Sequence, residues 1–204
     1  THFKISIISS IHKVNCTAKI QIYRPISLIN NIVKIFKKAL KGRLVDFLKL
    51  NKVLSKHQFG FVEGYGTSDA IHYLTSTITE NLNKSQKTIA IFLDLANAFD
   101  TVPHTQLISV LEHYGVKGAV LDVFKSYLSH RYQYLKINNT ISDPQLIKMG
   151  VPQGTILGPI LFITYINSLL SLDIGGQISS YADDTVLLFS DNTWEETKLR
   201  AKQG

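Results

Sequence analysis

The chain has 204 residues, 45% of them hydrophobic, enough to bury a core in one domain or in two small lobes. A single cysteine, Cys16, excludes an internal disulfide framework and a cysteine-cluster zinc site and fits a reducing compartment, and the seven histidines show no HxxxH-type spacing. The net charge of +7 is uneven: residues 1–56 carry 12 Lys/Arg against one acid, Asp46, while the remainder has 10 Lys/Arg against 14 acids.

Such a basic part beside an acidic part suits a polyanion on one and divalent cations on the other; a solvated lysine-rich helix face accounts for the basic part equally well. The early apolar run Ile5–Ile8 is too short for a signal peptide and runs into His12 and Lys13. From Ile32 to Leu50, apolar residues recur at Ile32, Phe36, Ala39/Leu40, Leu44 and Phe47/Leu48, which predicts a helix with Lys34, Lys37, Lys38 and Lys41 mainly on its other side. A glycine-rich loop, His57 to Thr67, follows; it lacks the lysine and the spacing of a phosphate loop. Thr67 or Ser68 then caps a helix to about Leu82, and Thr88 to Leu93 reads as a strand ending at Asp94.

Pro103 marks the early turn of a helix closing near Tyr114-Gly115, and a second helix is expected over Gly118 to Ser129. Tyr132–Ile137 and Gln145–Met149 read as strands around Asn138-Asn139. The apolar stretch Ile156–Leu172 contains Gly158, Pro159 and Asn167, which suits a buried helix rather than a membrane span. Gln177–Ala182 and Val186–Phe189 form a hairpin, and Thr193 with Glu196 has capping-box spacing for a last helix. The chain opens on Thr1 and stops soon after that helix starts, as a fragment of something longer would. Strands and helices mix without strict alternation, so the expected class is α+β with a small antiparallel sheet packed on helices.

Two features carry chemistry. Asp183 and Asp184 stand side by side at the hairpin tip, and Asp94 ends an apolar strand. Taken singly, adjacent aspartates suit a turn and a strand-end Asp suits a helix cap. If the strands are neighbours, however, three carboxylates converge at one sheet edge, an arrangement whose repulsion divalent cations relieve. Two such ions about 3.5–4 Å apart suit nucleotidyl transfer.

Five ordered motifs then resemble those of reverse transcriptases, most nearly the non-LTR (LINE-type) retrotransposon group. They are Tyr23-Arg24-Pro25-Ile26-Ser27-Leu28; Gln58-Phe59-Gly60-Phe61; Phe92-Leu93-Asp94-Leu95 with Ala98-Phe99-Asp100-Thr101-Val102; Gly150 to Pro159; and Tyr181-Ala182-Asp183-Asp184-Thr185. The resemblance covers roughly Ile5 to Lys202 and implies a right-hand polymerase fold, with residues 1–90 fingers-like and 91–204 palm, and no thumb. It implies an RNA-directed DNA polymerase using two Mg²⁺ ions, or Mn²⁺ in their place. The partners are an RNA template, a DNA primer, dNTPs and the rest of a retrotransposon protein, its thumb and endonuclease. It names no compartment, leaving an intracellular setting, nucleus or cytoplasm, open, and it implies no membrane.

Laid on this sequence, the resemblance implies metal ligation by Asp94, Asp183, Asp184 and the Leu95 carbonyl. Phe99 matches the bulky residue that meets a ribose 2′-OH, with ordinary core packing as its competing reading. Gln153 matches the residue beside the incoming nucleotide, and Tyr181 supports the primer end or the nucleotide floor. Arg24 is the fingers contact to the triphosphate, with Lys19 behind it or simply at the surface. Two departures remove positive charge: Val62, Glu63 and Tyr65 follow the Gln-Phe-Gly-Phe motif, where the family usually has basic residues, and Asn97 stands where it usually has Lys. Each lost phosphate contact weakens nucleic-acid binding and flattens its salt dependence. A catalytically decayed nucleic-acid-binding remnant is therefore the rival to an active polymerase, and a ribonucleotide polymerase, opposed by Phe99, is the third reading.

Overall fold

The computed structural model describes residues 5–12, 23–28, 31–95, 97–137, 140–151 and 155–204, with side chains from residue 34 onward except at 137. Lys19 and Gln153 lie outside the described residues, as does the Arg24 side chain. Within the chain, two compact units form: the first from Thr1–Asn51 and Phe99–Tyr165, the second from Lys52–Ala98 and Ile166–Gly204. They are a partition by contact, and differ from the fingers and palm division expected at residue 90.

The first unit contains strands β1 (Ile5–His12) and β2 (Tyr23–Leu28) and helix α1 (Asn31–Leu50). After the second unit's α2 (Thr67–Asn83) and β3 (Lys87–Leu93), it resumes with α3 (His104–His113), α4 (Gly118–Leu128), β4 (Arg131–Ile137), β5 (Thr140–Ile141), β6 (Gln145–Ile147) and α5 (Gly158–Ile166). Its sheet runs β2-β1-β4-β5, with β6 also on β4. β1 is antiparallel to β2 but parallel to β4, with Ile5 opposite Tyr132 and Ser9 opposite Lys136. The short run at Ile5 is therefore the start of a sheet strand, a role its local composition did not reveal.

α1 matches its expected span, but its buried stripe is rotated. Leu40, Leu44 and Leu48 are buried as expected, each such leucine stabilising by about 1.5–3 kcal/mol, whereas Phe36 is exposed and Lys37 is 2% exposed. Positions 37, 40, 44 and 48 lie on one helical face, so Lys37 continues the leucine stripe rather than joining the solvated lysines. Its ammonium and the Arg131 guanidinium each lie 5.0 Å from the Tyr127 ring centroid. Leu107 and Leu111 of α3, Leu121 and Phe124 of α4, and Leu161 to Ile163 of α5 complete the core.

The apolar stretch expected as one helix from Ile156 to Leu172 is α5 followed by a 3-10 turn over Asn167–Ser171. Asn167, itself buried, accepts from the Ser55 amide at 2.8 Å and donates to the Val53 carbonyl at 2.9 Å.

The second unit holds α2 and β3, then β7 (Gln177–Tyr181), β8 (Asp184–Asp191) and α6 (Trp194–Gln203). β8 is the central strand, antiparallel to both neighbours. Thr193 caps α6 as anticipated: its Oγ accepts from the Glu196 amide at 3.2 Å while Glu196 reaches back to the Thr193 amide at 3.2 Å. Thr197 ties α6 to the sheet by donating to the Lys87 carbonyl. No helix among the described residues is long and apolar enough to cross a membrane.

Candidate active site

β3 and β8 pair over their full length, Lys87 opposite Asp191 and Leu93 opposite Thr185. Asp94 follows Leu93 and Asp184 precedes Thr185, so antiparallel register carries both to the same end of the sheet. β7 closes the arrangement by pairing Tyr181 with Asp184, leaving Ala182 and Asp183 as a two-residue loop. The strands carrying the three acids are neighbours in one sheet. Asp94 and Asp184 are exposed and Asp183 is half-buried. A pocket of about 330 Å³ is walled by Asp94, Tyr181, Ser180 and Asp184 of the sheet edge and by Ala70, Ile71 and Leu74 of α2.

The turn is unusual in composition. Ala182 has φ +60°, a left-handed conformation that a side chain disfavours. Hydrogen bonds hold it on both faces: its amide donates to Gln58 Oε1 at 3.1 Å, and its carbonyl accepts from Ser180 Oγ at 2.8 Å. Gln58 is fully buried, and the same Oε1 accepts from the Gly60 amide at 2.8 Å. A short parallel bridge joins Gln58 to Ser180, through Phe59 N to Ser180 O at 2.8 Å and Ser180 N to His57 O at 2.9 Å. Gly60 lies against the turn so closely that a Cβ on it would collide with the Ala182 backbone. Of the glycine-rich loop, Gln58 to Gly60 is buried against the hairpin, while Phe61, Glu63, Gly64 and Tyr65 are exposed. The only sequence signal for that packing was the Gln-Phe-Gly-Phe motif itself.

Around the buried segment, Phe59 meets Tyr65 edge-on at 5.4 Å and Tyr73 at 5.5 Å, and His57 lies 5.2 Å from Tyr73. Burial, and then the Lys56 charge, lower the His57 pKa, while burial raises that of Tyr73.

Other candidates fall elsewhere. Leu95 is exposed just beyond Asp94, and its carbonyl accepts from the Ala98 amide at 3.3 Å. Asn97 has φ +53°, a left-handed conformation that Asn tolerates. Phe99 belongs to the first unit, stacked on Phe162 with centroids 4.2 Å apart and planes at 22°. Its carbonyl accepts from the Val151 amide at 2.7 Å, and the Gly150 amide donates to Val102 at 2.7 Å. The Phe99–Val102 segment is thus tied to Gly150 and Val151.

Carboxylate oxygens at one sheet edge are a donor set suited to hard divalent cations. Among the described residues no three His, Cys, Asp or Glu side chains are gathered around one point. The fit of a metal therefore rests on donor chemistry and register.

Comparison with solved structures gives the class. The chain superposes on Candida tropicalis apo telomerase with a TM-score of 0.71 at 11% identity, covering 98% of this chain and 41% of that one. It superposes on Candida albicans telomerase, solved with a telomeric RNA fragment, at 0.70 and 13%, covering 98% and 39%. The chain shares the fold of these proteins. By sequence, residues 11–202 match the family "Reverse transcriptase (RNA-dependent DNA polymerase)", and the chain belongs to it.

Among its relatives are two Drosophila melanogaster proteins. One is a probable RNA-directed DNA polymerase from transposon BS, 34% identical over 85% of this chain and 20% of its own length. The other is the RNA-directed DNA polymerase from mobile element jockey, 30% identical over 91% of this chain and 21% of its own. The LINE-type resemblance of the motifs holds, and the chain spans about a fifth of the length of these relatives.

Proposed function

We propose that the chain is the fingers and palm of an RNA-directed DNA polymerase, residues 1–90 and 91–204, serving a retrotransposable element. The observation carrying this reading is the register that brings Asp94 and Asp184 to one sheet end, with Asp183 in the adjoining turn, in a chain of this family. Its substrates are an RNA template, a DNA primer and dNTPs, and a thumb and endonuclease belong to the longer protein.

Asp94, Asp183, Asp184 and the Leu95 carbonyl would hold two Mg²⁺ ions. When bound, these supply charge neutralisation for the phosphates and the attacking 3′-OH. The protein's share is positioning. The exposed edge carboxylates face solvent, where phosphates arrive, and Tyr181 walls the same pocket. Phe99 excludes the ribose 2′-OH, its ring held by the stack on Phe162; packing and gating are compatible roles for one ring. Gln153 lies beside the incoming nucleotide, and Arg24 and Lys19 meet the triphosphate.

The test is primer extension on an RNA template with dNTPs and Mg²⁺, comparing this chain with Asp183→Asn. Extension that disappears in the variant is expected. Extension unchanged by the variant refutes the assignment of the acids. Nucleic-acid binding without extension in either form favours the remnant reading.

A further inference from the structure

We propose that Gln58 is a positioning residue for the paired aspartates, acting through the backbone of Ala182. The proposal rests on the polymerase reading of Asp183 and Asp184 for its functional consequence, and on hydrogen-bond geometry for its substance. Asp183 directly follows Ala182, so whatever sets the Ala182 peptide sets where the first carboxylate leaves the sheet. With φ +60° in a two-residue turn, Ala182 occupies a position where glycine is favoured. Within the hairpin Ser180 bonds the turn at the Ala182 carbonyl, and the Ala182 amide finds its acceptor in Gln58. That acceptor comes from 124 residues away.

Gln58 does this with both ends of its amide. Oε1 accepts from two backbone N–H groups, Gly60 at 2.8 Å and Ala182 at 3.1 Å, which fixes the amide orientation because an NH₂ group cannot face two donors. Nε2 donates to Ser180 Oγ at 3.4 Å. That hydroxyl spends its single proton on the Ala182 carbonyl at 2.8 Å and accepts also from Thr185 Oγ at 3.3 Å. Gln58, Ser180 and Thr185 are all buried at 0–2% exposure, so the network is shielded from water that would otherwise substitute for its members. Thr185 follows Asp184, and both sides of the aspartate pair are therefore tied into one network. An acceptor at position 58 is the requirement; bulk alone does not meet it.

Two variants separate an acceptor from a space-filler. Gln58→Glu keeps Oε1 and loses the Nε2 donor; Gln58→Met keeps the length and loses both. The acceptor role predicts that amide-resolved hydrogen exchange retains protection at Ala182 and Gly60 in Gln58→Glu and loses it in Gln58→Met, with the β3–β8 amides protected in both. A packing role predicts the reverse order, because Met tolerates the apolar surroundings and Glu does not.

On RNA-templated primer extension, Gln58→Met should lower kcat by about 10–100-fold, the scale of a misplacement near 1 Å, with KM for the primer–template unchanged, and Gln58→Glu should recover part of the loss. Protection of Ala182 in Gln58→Met equal to or above that in Gln58→Glu overturns the proposal. Should Gln58→Met fail to fold, Gln58→Glu is read alone, and loss of Ala182 protection with an intact hairpin overturns it. The Asp183→Asn control keeps the two readings apart. Extension indifferent to Asp183 removes the polymerase reading and leaves the exchange result standing. Extension dependent on Asp183 but indifferent to both Gln58 variants removes the positioning role alone.

Discussion

Replacing Lys37 with Met should stabilise the protein at neutral pH. Lys37 is 2% exposed on the leucine stripe of α1, and among the described residues neither its Nζ nor the Nε of the equally buried Arg131 has a hydrogen-bond partner. No acid forms a salt bridge with either among the described residues, and residues outside the description contain no Asp or Glu. Burial, and then the Arg131 charge, lower the Lys37 pKa from 10.5 to about 8.

A fall of that size corresponds to roughly 3 kcal/mol against the charged form at about 1.4 kcal/mol per unit, before a discount for the part of the penalty that nearby solvent screens. The cation–π contact with Tyr127 returns about 0.5–2 kcal/mol. The difference leaves a net gain of about 1–2 kcal/mol for Met, or a few degrees in Tm for a chain of this length.

The sign with pH follows. Below pH 8 the lysine is charged in folded and unfolded chains and the penalty is complete. Between about 8 and 10.5 the folded chain releases its proton first, so wild-type stability rises with pH and the advantage of Met shrinks. Burial raises the Tyr127 pKa, which opposes ionisation of the folded state at still higher pH, so the comparison belongs between pH 6 and 9.5. Urea unfolding of both proteins across that range is the assay. A Lys37→Met protein no more stable than wild type at pH 7, or an advantage that does not narrow by pH 9.5, refutes the reasoning.

Gly150→Ala should destabilise the first unit by about 2 kcal/mol or more, because Gly150 has φ +91° and a Cβ there would lie 2.8 Å from the Asp100 carbonyl oxygen. Thermal melting checks this, and an unchanged Tm contradicts it. Thr193→Ala should cost about 1 kcal/mol by removing the acceptor of the α6 capping box; equal urea midpoints for variant and wild type count against the cap's contribution.

What the sequence made legible follows the range of the interactions involved. α2, α3, α4 and the β7–β8 hairpin were readable because periodicity and turn residues act over a few positions, and the Thr193–Glu196 box fell where its spacing said, although α2 is capped by Gly66 rather than by Thr67 or Ser68. β1 was not, because its parallel partner β4 lies more than a hundred residues on and eight residues carry no record of that pairing. Lys37 was misplaced for a related reason. Residue type argued for solvent, and only the tertiary position of α1 decides that the stripe starts there.

The same distinction explains the candidate site. Asp183 and Asp184 posed a choice between a turn and a metal pair; the register places Asp183 in the turn and Asp184 at the start of β8, and under the proposed function one feature serves both readings. A sheet presents two adjacent carboxylates to phosphate only where the chain reverses, and a tight reversal requires a left-handed residue. Here that residue is Ala182, without glycine's freedom, so the turn relies on hydrogen bonds from Ser180 within the hairpin and from the distant Gln58. A glycine at 182 would need less support but would also leave the following carboxylate less constrained. The combination of an unfavourable turn residue and a buried amide that holds it trades local ease for a defined direction of Asp183. That direction is what positioning at a phosphoryl-transfer site demands.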